Sequence, residues 1–520
     1  MGHLFEPKSA PDSWQSNSDR PLARFWHFAR CTPLDAAAAD AWLAGQIGNA
    51  VAGVGGIHPG LSENEHAAAV DRIKQLISDG DCYQVNLTFP TDFSWFGSPL
   101  ALYARLRAHQ PVRYGGFVGD ASEAIVSLSP ELFLERQAGR LVTRPMKGTA
   151  ARSQSPEVLR SSPKDRAENL MIVDLLRNDL GRIAESGSVK VDRLFDIEDY
   201  PTVWQMVSEV SAQVGQLGLP EILAALFPCG SITGAPKIRA MQIISELEKA
   251  PRGLYTGALG WLAPNGDFRL NVAIRTLELE RNGRGKFGVG GGIVADSMAQ
   301  AEWQECLLKS RFLHRCDPGL KLIETLRLED GCYVRLSLHL QRLQRSAEWF
   351  GFRLDVAALS MQLEAQPKSG LWRVRVTLDK AGQFDVAAFP LVDLSAVGNL
   401  AWMAPEIIDS NDPLRGHKTT ERQIYDAALA SLPGDSKVFD RVFLNERGEV
   451  AEGARSNVFV ERDGLLLTPP LSSGCLPGVL RAELLAIGKA REAVLYPADL
   501  ATGFWLGNSL RGLLRVSLEK

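Results

Sequence analysis

A few short runs hold the side chains that can do chemistry. Arg144-Pro145-Met146-Lys147-Gly148-Thr149 sets a lysine between a proline and a glycine, a place where an amine can serve as a nucleophile. A surface lysine beside a turn glycine reads the same way. Asp165 and Glu168 are three apart and share a helix face, and Glu302 and Glu305 repeat the spacing. Two helices carrying such pairs can jointly hold a hard divalent ion, magnesium above all, which takes few carboxylates and keeps waters for substrate oxygens. Two solvated acidic faces fit that spacing too. Gly290-Gly291-Gly292 offers backbone N–H groups to an anion, or only a tight turn. Lys418, in His417-Lys418-Thr419-Thr420-Glu421-Arg422, can form a Schiff base with an aldehyde cofactor; alone it reads as a surface residue.

These runs need elements to hold them. Residues 163–183 carry an apolar band (Ala167, Leu170, Met171, Val173, Asp174, Leu175) with gaps of three and four, predicting a helix. A second helix is expected over Pro236 to Lys249, after a Gly-Ser-Ile-Thr-Gly turn, with Pro236 suited to the first turn. A third spans Gln300 to Phe312. Residues 284–295 read as a strand breaking into a glycine-rich turn. Asp330-Gly331 between Leu322–Arg327 and Cys332–Val334 is a hairpin signal. Helices follow from about Ser337 to Phe350 and, opened by the Lys418 run, after His417.

The chain has 520 residues, enough for two or more domains, and a change of texture near Pro318-Gly319 divides it. The short junction predicts that the two parts pack together. A formal net charge of −4 with 23% charged residues gives no polyanion footprint, so no nucleic acid is expected as a partner. The seven cysteines are scattered with no Cys-x-x-Cys pair, which fits free thiols in a reducing cytoplasm. No signal peptide and no run of membrane-spanning length is seen, so a cytoplasmic location with no membrane partner is expected. Residues 7–21, rich in Pro, Ser, Asp and Asn, are expected to be mobile.

The first part resembles the chorismate-utilising enzymes. Residues 80–87, Ser129-Pro130-Glu131, the 144–149 run, residues 164–181, the run 227–241 from Phe227 to Met241, Arg252-Gly253 with Tyr255 and Gly257, Ile274-Arg275-Thr276, and Gly290 to Ser297 follow that family's motifs in its order. A lysine at position 147 is the mark of its aminodeoxychorismate synthase component I branch, where anthranilate synthase has a small residue. The resemblance implies an α/β fold, a large sandwich of two β-sheets with helices outside, over residues 60–315, with residues 1–59 a segment shorter than the family's. It implies Glu168 and Glu305 as magnesium ligands, with Asp165 and Glu302 acting through waters. The ring carboxylate of chorismate would meet the ion; the enolpyruvyl carboxylate would meet Tyr255, Arg275 and the amides of Gly290, Gly291 and Gly292. Lys309 would add positive charge and Thr149 a hydrogen bond. Lys147 would attack C2 while Glu131 protonates the departing C4 hydroxyl, and ammonia would then enter at C4 and expel the lysine. For attack the lysine must be neutral, which burial beside a cationic group favours.

One departure bears on the product. Where the family often has a histidine on a later helix, associated in anthranilate synthase with pyruvate elimination, this chain has Gln205. That fits an enzyme stopping at the amino-deoxy intermediate. A tryptophan-sensing Leu-Leu-Glu-Ser element and a Gly-x-Cys-x-Gly elbow are both missing. Ammonia is therefore expected from solution or from a separate glutamine amidotransferase subunit.

Residues 319–520 resemble fold-type IV pyridoxal phosphate enzymes, the class of branched-chain aminotransferases and aminodeoxychorismate lyase. The carriers are Glu324-Thr325, His339-Leu340-Gln341-Arg342-Leu343, Lys418, Glu452-Gly453 with Ser456-Asn457-Val458-Phe459, Thr468-Pro469-Pro470, Gly474 to Arg481, and Asn508-Ser509-Leu510. The resemblance implies two α/β subdomains with the cofactor between them. Lys418 would hold pyridoxal phosphate, Glu452 would meet its ring nitrogen, and Leu476 lies in a segment that packs its ring. Its phosphate would meet Arg342, Ser509 and the amides of Val479 and Leu480, where the family commonly has threonine at 480. Arg511 would meet a substrate carboxylate. Such enzymes are usually dimers, so a homodimer through this domain is expected, though a fusion can change that. The two resemblances fit one sequence: chorismate to 4-amino-4-deoxychorismate, then loss of pyruvate to 4-aminobenzoate for folate. The alternative reading is anthranilate synthase component I joined to a branched-chain or D-amino-acid aminotransferase, since motifs separate lyase from transaminase poorly.

Overall fold

The computed structural model describes residues 21–120, 123–200, 203–316, 318–391, 399–432 and 437–519. The segment 7–21 expected to be mobile falls, but for Pro21, outside them. Helices and strands are mixed throughout, as the α/β reading required.

The first domain is built on the long strand Gln84–Gly97, which sends Val85, Leu87 and Phe89 into apolar clusters and takes a neighbour on each side. Its sheet runs Ala52–Pro59, Gln84–Gly97, Arg284–Ile293, Thr276–Glu280, Glu123–Ser127, Gly116–Gly119, with Gly234–Ala235 added to the long strand. A second sheet runs Ala258–Leu262, Phe268–Val272, Leu132–Gln137, Arg140–Arg144, Val203–Gln213, Met146–Ala151, and Lys190–Asp199 also pairs with Val203–Gln213. The chain crosses between the sheets twice at one place. Ser129-Pro130-Glu131 leads from Glu123–Ser127 to Leu132–Gln137, and Ala273-Ile274-Arg275 leads back from Phe268–Val272 to Thr276–Glu280. Val272 N donates to Glu131 O at 3.1 Å, Leu128 N to Arg275 O at 3.0 Å, and Ser129 Oγ to Val272 O at 2.6 Å. Strand Ala52–Pro59 belongs to the first sheet, so this domain takes in residues ahead of the expected boundary at 60. Its Gly53, Gly55 and Gly56 hid the strand, because glycine weakens the strand pattern; here it permits close approach.

Helix Pro163–Gly181 starts where its cap lies: Ser162 accepts from Asp165 N, and proline fills the first turn. Its buried face differs from the one expected. Asn169, Ile172, Val173, Leu176 and Leu180 are buried, whereas Leu170 is exposed. Two apolar stripes overlap on this helix, and the hydrogen bond from Ser208 Oγ to Asn169 Oδ1 (2.5 Å) belongs to the stripe that turned inward. The other expected helices run Lys237–Leu247 and Ala299–Ser310.

In the second domain, the sheet Cys332–Tyr333, Leu322–Glu329, Leu371–Leu378, Phe384–Pro390 packs with helices Leu336–Phe350 and Val356–Glu364. Asp330 and Gly331 both have positive φ (45° and 78°), as a two-residue hairpin turn demands. An eight-stranded sheet forms the other subdomain: Val450–Gly453, Val438–Asn445, Leu400–Ile408, Gly512–Leu518, Phe504–Asn508, Asn457–Arg462, Leu465–Thr468, Ala490–Glu492. Lys418 does not open a helix. It lies on an extended segment where Ile323 N donates to Lys418 O (2.8 Å) and Thr419 bridges Leu322; the helix is Gln423–Ala430. Two β-branched threonines favour that extension, and Thr419 Oγ1 takes the Glu421 N–H (3.2 Å).

The domains pack against each other. Phe96, at the end of the long strand, sits in the second domain's apolar core. A Cβ on Gly55 would lie 2.3 Å from Trp349 O, so only glycine allows this approach. Arg281 pairs with Asp409 at 3.3 Å.

Candidate functional site

Lys147 is presented by a bulge. Met146 pairs with Val207 and Thr149 with Gln205, so one extra residue is accommodated on the lysine's strand. Gly148 makes this possible with φ +84°, and a Cβ there would fall 2.9 Å from both Asp165 Oδ1 and Leu159 Cδ1. Lys147 Nζ ends half-buried, 3.5 Å from Ser231 O. Ser231 sits in the tight turn Gly230–Ile232, and its Oγ donates to Glu131 Oε1 at 2.7 Å. Glu131 is wholly buried at the sheet crossing. Burial pushes its pKa up, against the pull of Lys147 and of the hydrogen bonds from Ser231 and Met146. A carboxyl so placed holds a proton more readily than usual, as a general acid must. Cys229 Sγ lies 3.2 Å from Ser231 Oγ, and burial pushes that thiol to about 12, so it stays neutral.

The carboxylates of two helices face Lys147. Glu168 is raised by burial, with Lys147 and Lys164 opposing and Asp165 and Asp296 adding to the rise. Burial also works against charge on Glu305, but Lys309, Lys147 and Lys164 outweigh it and hold its pKa down. Both glutamates thus share the field of the same two lysines. Lys309 Nζ lies 2.9 Å from Glu305 and donates to Gly290 O at 2.6 Å. Glu302 accepts from Ser297 Oγ at 2.7 Å, and Asp165 lies against Gly148. Among the described residues, no three His, Cys, Asp or Glu side chains gather closely enough to hold a metal. The donors Glu168 and Glu305 are of the type a hard cation takes, and two suffice where waters and substrate oxygens complete the shell.

The expected anion receptors are spread along the crossing and the neighbouring strand. Arg275 has φ +49°, and burial lowers its pKa with Tyr200 the opposing influence. No carboxylate among the described residues pairs with it. Tyr255 is half-buried with its ring over Gly288, where a Cβ would fall 2.1 Å away, and desolvation raises its hydroxyl's pKa. Gly290, Gly291 and Gly292 form no turn. They continue strand Arg284–Ile293 opposite Thr88, Leu87 and Asn86, because the long strand keeps pairing there. Strand Thr276–Glu280 has already ended its pairing at Phe287, so the other edge of the three glycines is free of it. A Cβ on Gly291 would lie 3.1 Å from Glu302 Oε2, so the missing side chain lets that helix close in. Gln205 lies on strand Val203–Gln213, not on a helix, and its Nε2 donates to Thr149 Oγ1 at 2.9 Å. Ser231 and Asp296 were given no role from sequence; the Gly-Ser-Ile-Thr-Gly turn was the available signal for the first.

In the second domain Lys418 Nζ donates to Thr325 Oγ1 at 3.0 Å. Burial lowers its pKa to about 7, assisted by Arg342, Arg422 and Arg375 and resisted by Glu324. Glu452 accepts from Tyr425 Oη and from Leu476 N (2.8 Å), and burial raises it to about 7. Arg342 spends Nε and Nη2 on Glu324 (2.8 and 2.6 Å) and turns Nη1 toward Pro477 O (3.4 Å). Val479 and Leu480 open helix Val479–Ala486, whose N-cap Gly478 makes no side-chain cap bond. The Leu480 side chain packs with Phe459 and Leu484. Arg511 Nη1 is buried with no hydrogen-bond partner among the described residues, near Arg455 and Arg373. A buried amine of low pKa, a buried carboxyl near neutrality, an uncapped helix start and an orphan guanidinium nitrogen fit a phosphorylated aldehyde cofactor and an acidic substrate.

Residues 46–315, just over half of the sequence, match the chorismate binding enzyme family, and residues 321–518 match the amino-transferase class IV family. The chain belongs to the chorismate binding enzymes and carries a class IV amino-transferase domain behind that part. It is 42% identical to aminodeoxychorismate synthase component 1 of Klebsiella aerogenes over 49% of this chain and 59% of that one. It is 40% identical to anthranilate synthase component 1 of Pseudomonas aeruginosa, over 49% of this chain and 53% of that one. The chain therefore spans a little over half the length of these relatives. The crystal structure of a putative amino-acid aminotransferase from Mesorhizobium loti is 38% identical with a TM-score of 0.36, covering 38% of this chain and 100% of that one. No helix among the described residues is long and apolar enough to cross a membrane.

Proposed function

We propose that the first domain converts chorismate and ammonia to 4-amino-4-deoxychorismate, and that the second removes pyruvate from this intermediate to give 4-aminobenzoate for folate synthesis in the cytoplasm. Ammonia comes from a separate glutamine amidotransferase subunit, and the second domain pairs with a second copy.

The observation that carries the reading is Lys147, an amine held on a bulge beside a buried, proton-retaining Glu131 and between two glutamate-bearing helices. Lys147 attacks C2 of the ring. The two conjugated ring double bonds both shift, C1=C2 to C1=C6 and C5=C6 to C4=C5, and Glu131 gives its proton to the departing C4 hydroxyl as water forms. Ammonia then enters at C4 and the lysine leaves with the electron pair of its bond. Magnesium, held by Glu168 and Glu305 with Asp165 and Glu302 acting through waters, supplies positive charge for the ring carboxylate. Arg275, Tyr255 and the amides of Gly290 to Gly292 receive the enolpyruvyl carboxylate, Lys309 adds positive charge, and Thr149 donates a hydrogen bond.

In the second domain pyridoxal phosphate supplies the electron sink for breaking the C4–H bond. Lys418 takes that proton, which an amine with a pKa near 7 can accept and release at neutral pH. Glu452 meets the ring nitrogen and Leu476 the ring. Arg342, Ser509 and the amides of Val479 and Leu480 hold the phosphate, and Arg511 meets a substrate carboxylate.

The test is a product assay with chorismate, magnesium, ammonium salt and pyridoxal phosphate. 4-Aminobenzoate plus pyruvate is expected. Lys147→Ala should abolish it from chorismate while supplied 4-amino-4-deoxychorismate is still converted. Anthranilate as product would instead assign the chain to the alternative that the Pseudomonas relative represents.

A further inference from the structure

Ser509 has one hydroxyl proton, and its neighbours decide where that proton points. Glu324 is buried and accepts from Arg342 through both oxygens (2.8 and 2.6 Å). Burial disfavours its charge, yet Arg342 and His339 prevail and hold it at about 2, so it is a carboxylate that only accepts. His339 Nδ1 lies 2.6 Å from Glu324 Oε2 and must therefore carry a proton. In a neutral imidazole the other nitrogen is then an acceptor. His339 Nε2 lies 2.8 Å from Ser509 Oγ, so the serine donates its hydroxyl proton to the histidine.

That polarity is wrong for a phosphate. A phosphate dianion also only accepts, and Ser509 has no second proton to give it. If His339 gains a proton, Nε2 becomes a donor, Ser509 Oγ accepts from it, and the serine hydroxyl is released toward the phosphate. Burial keeps the unliganded histidine's pKa low, aided by Arg342 and Lys418 and opposed by Glu324. These are the charged groups facing it: Glu324 from the strand, Arg342 from its own helix and Lys418 from the extended segment. Ser509 closes the remaining side.

We propose that His339 is a positioning residue for the cofactor phosphate: it takes up one proton on binding, and so reverses Ser509 from donor to the histidine into donor to the phosphate. This rests on the reading that the pocket holds pyridoxal phosphate. The proton is needed because both partners of the serine would otherwise demand its single hydrogen.

The experiment is calorimetric titration of the cofactor-free full chain with pyridoxal phosphate and with pyridoxal, near pH 8, in buffers of different ionisation enthalpy. The phosphate is then a dianion, since its second pKa is about 6. Pyridoxal must first open the internal hemiacetal made by its free 5′-hydroxyl, a step with no net proton, and both ligands then form the same bond to Lys418, so the proton count of that bond cancels in the difference. About one proton more should be taken up with pyridoxal phosphate, and its affinity relative to pyridoxal should fall about tenfold per pH unit. The extra proton should vanish in His339→Gln; Ser509→Ala, the milder change, should lose it as well while still binding. Equal proton counts for the two ligands in the parent chain would overturn the proposal alone, as would an undiminished extra proton in both variants. Absence of binding by either ligand would overturn the cofactor reading and this proposal together.

Discussion

Gln205 Nε2 donates to Thr149 Oγ1 across 2.9 Å, joining two neighbouring strands beside the bulge that carries Lys147. The bond makes the threonine oxygen an acceptor on that side and leaves its own hydroxyl proton for a substrate oxygen. A glutamine amide cannot shuttle protons as a histidine does. Gln205→Ala should free Thr149 to point elsewhere. Losing one such hydrogen bond costs about 1 kcal/mol, so KM for chorismate should rise several-fold with kcat little changed. Steady-state kinetics on the first step would show it, and an unaltered KM would remove Gln205 from substrate positioning.

Gly148 is held at φ +84°, with Asp165 and Leu159 where a side chain would go. Gly148→Ala should cost about 1–3 kcal/mol through backbone strain and contact. It should also shift Lys147, lowering both Tm and amination rate. Full activity in a stable variant would show that the bulge is not what presents the lysine.

Arg275 is a guanidinium with no carboxylate partner among the described residues, and burial lowers its pKa. Such a charge is costly until an anion arrives. Arg275→Gln should therefore leave the Tm of the ligand-free protein unchanged or raised. A charged hydrogen bond is worth about 1.5–3 kcal/mol, so KM for chorismate should rise about tenfold or more. A lowered Tm with an unchanged KM would make the residue structural.

Lys418 has its pKa depressed from 10.5 to about 7 in the folded, cofactor-free chain. A depressed group contributes stability that is present above the unfolded value and lost as pH falls through the folded one. Lys418→Met should thus be more stable than the parent below pH 7. The gap should narrow by on the order of 1.4 kcal/mol per unit as pH climbs from about 7 to about 10.5. Denaturant unfolding of both chains across that range measures it; a constant gap would refute the buried, neutral amine.

Leu480 occupies a position where a threonine hydroxyl would add a phosphate donor, yet its side chain packs with Phe459 and Leu484. Leu480→Thr should lose about 2 kcal/mol of stability and gain no affinity for pyridoxal phosphate. Tighter cofactor binding in this variant would show that the side chain faces the phosphate instead.

Sequence by itself determined what local chemistry can encode. Ser162 and Pro163 fix a helix start within three residues, and Asp330-Gly331 fixes a hairpin turn through its own positive φ. The ordered motifs around Glu131, Lys147 and Arg275, with those around Lys418 and Glu452 behind them, likewise marked a chorismate binding part followed by a class IV amino-transferase part. Tertiary structure decided what depends on partners far along the chain. Gly290 to Gly292 stay in a strand because Asn86 to Thr88 keep pairing with them, and Gln205 is a strand residue because Thr149 lies opposite. Lys418 leaves the helix it was expected to open because Leu322 and Ile323 offer their backbone to its segment. Glu131 and Arg275 lie on the two segments by which the chain crosses between sheets, and the proton affinities of Glu131, Lys418 and Glu452 are set by burial there and between the subdomains. A side chain's own neighbours cannot specify burial; it takes the packed fold to remove the water.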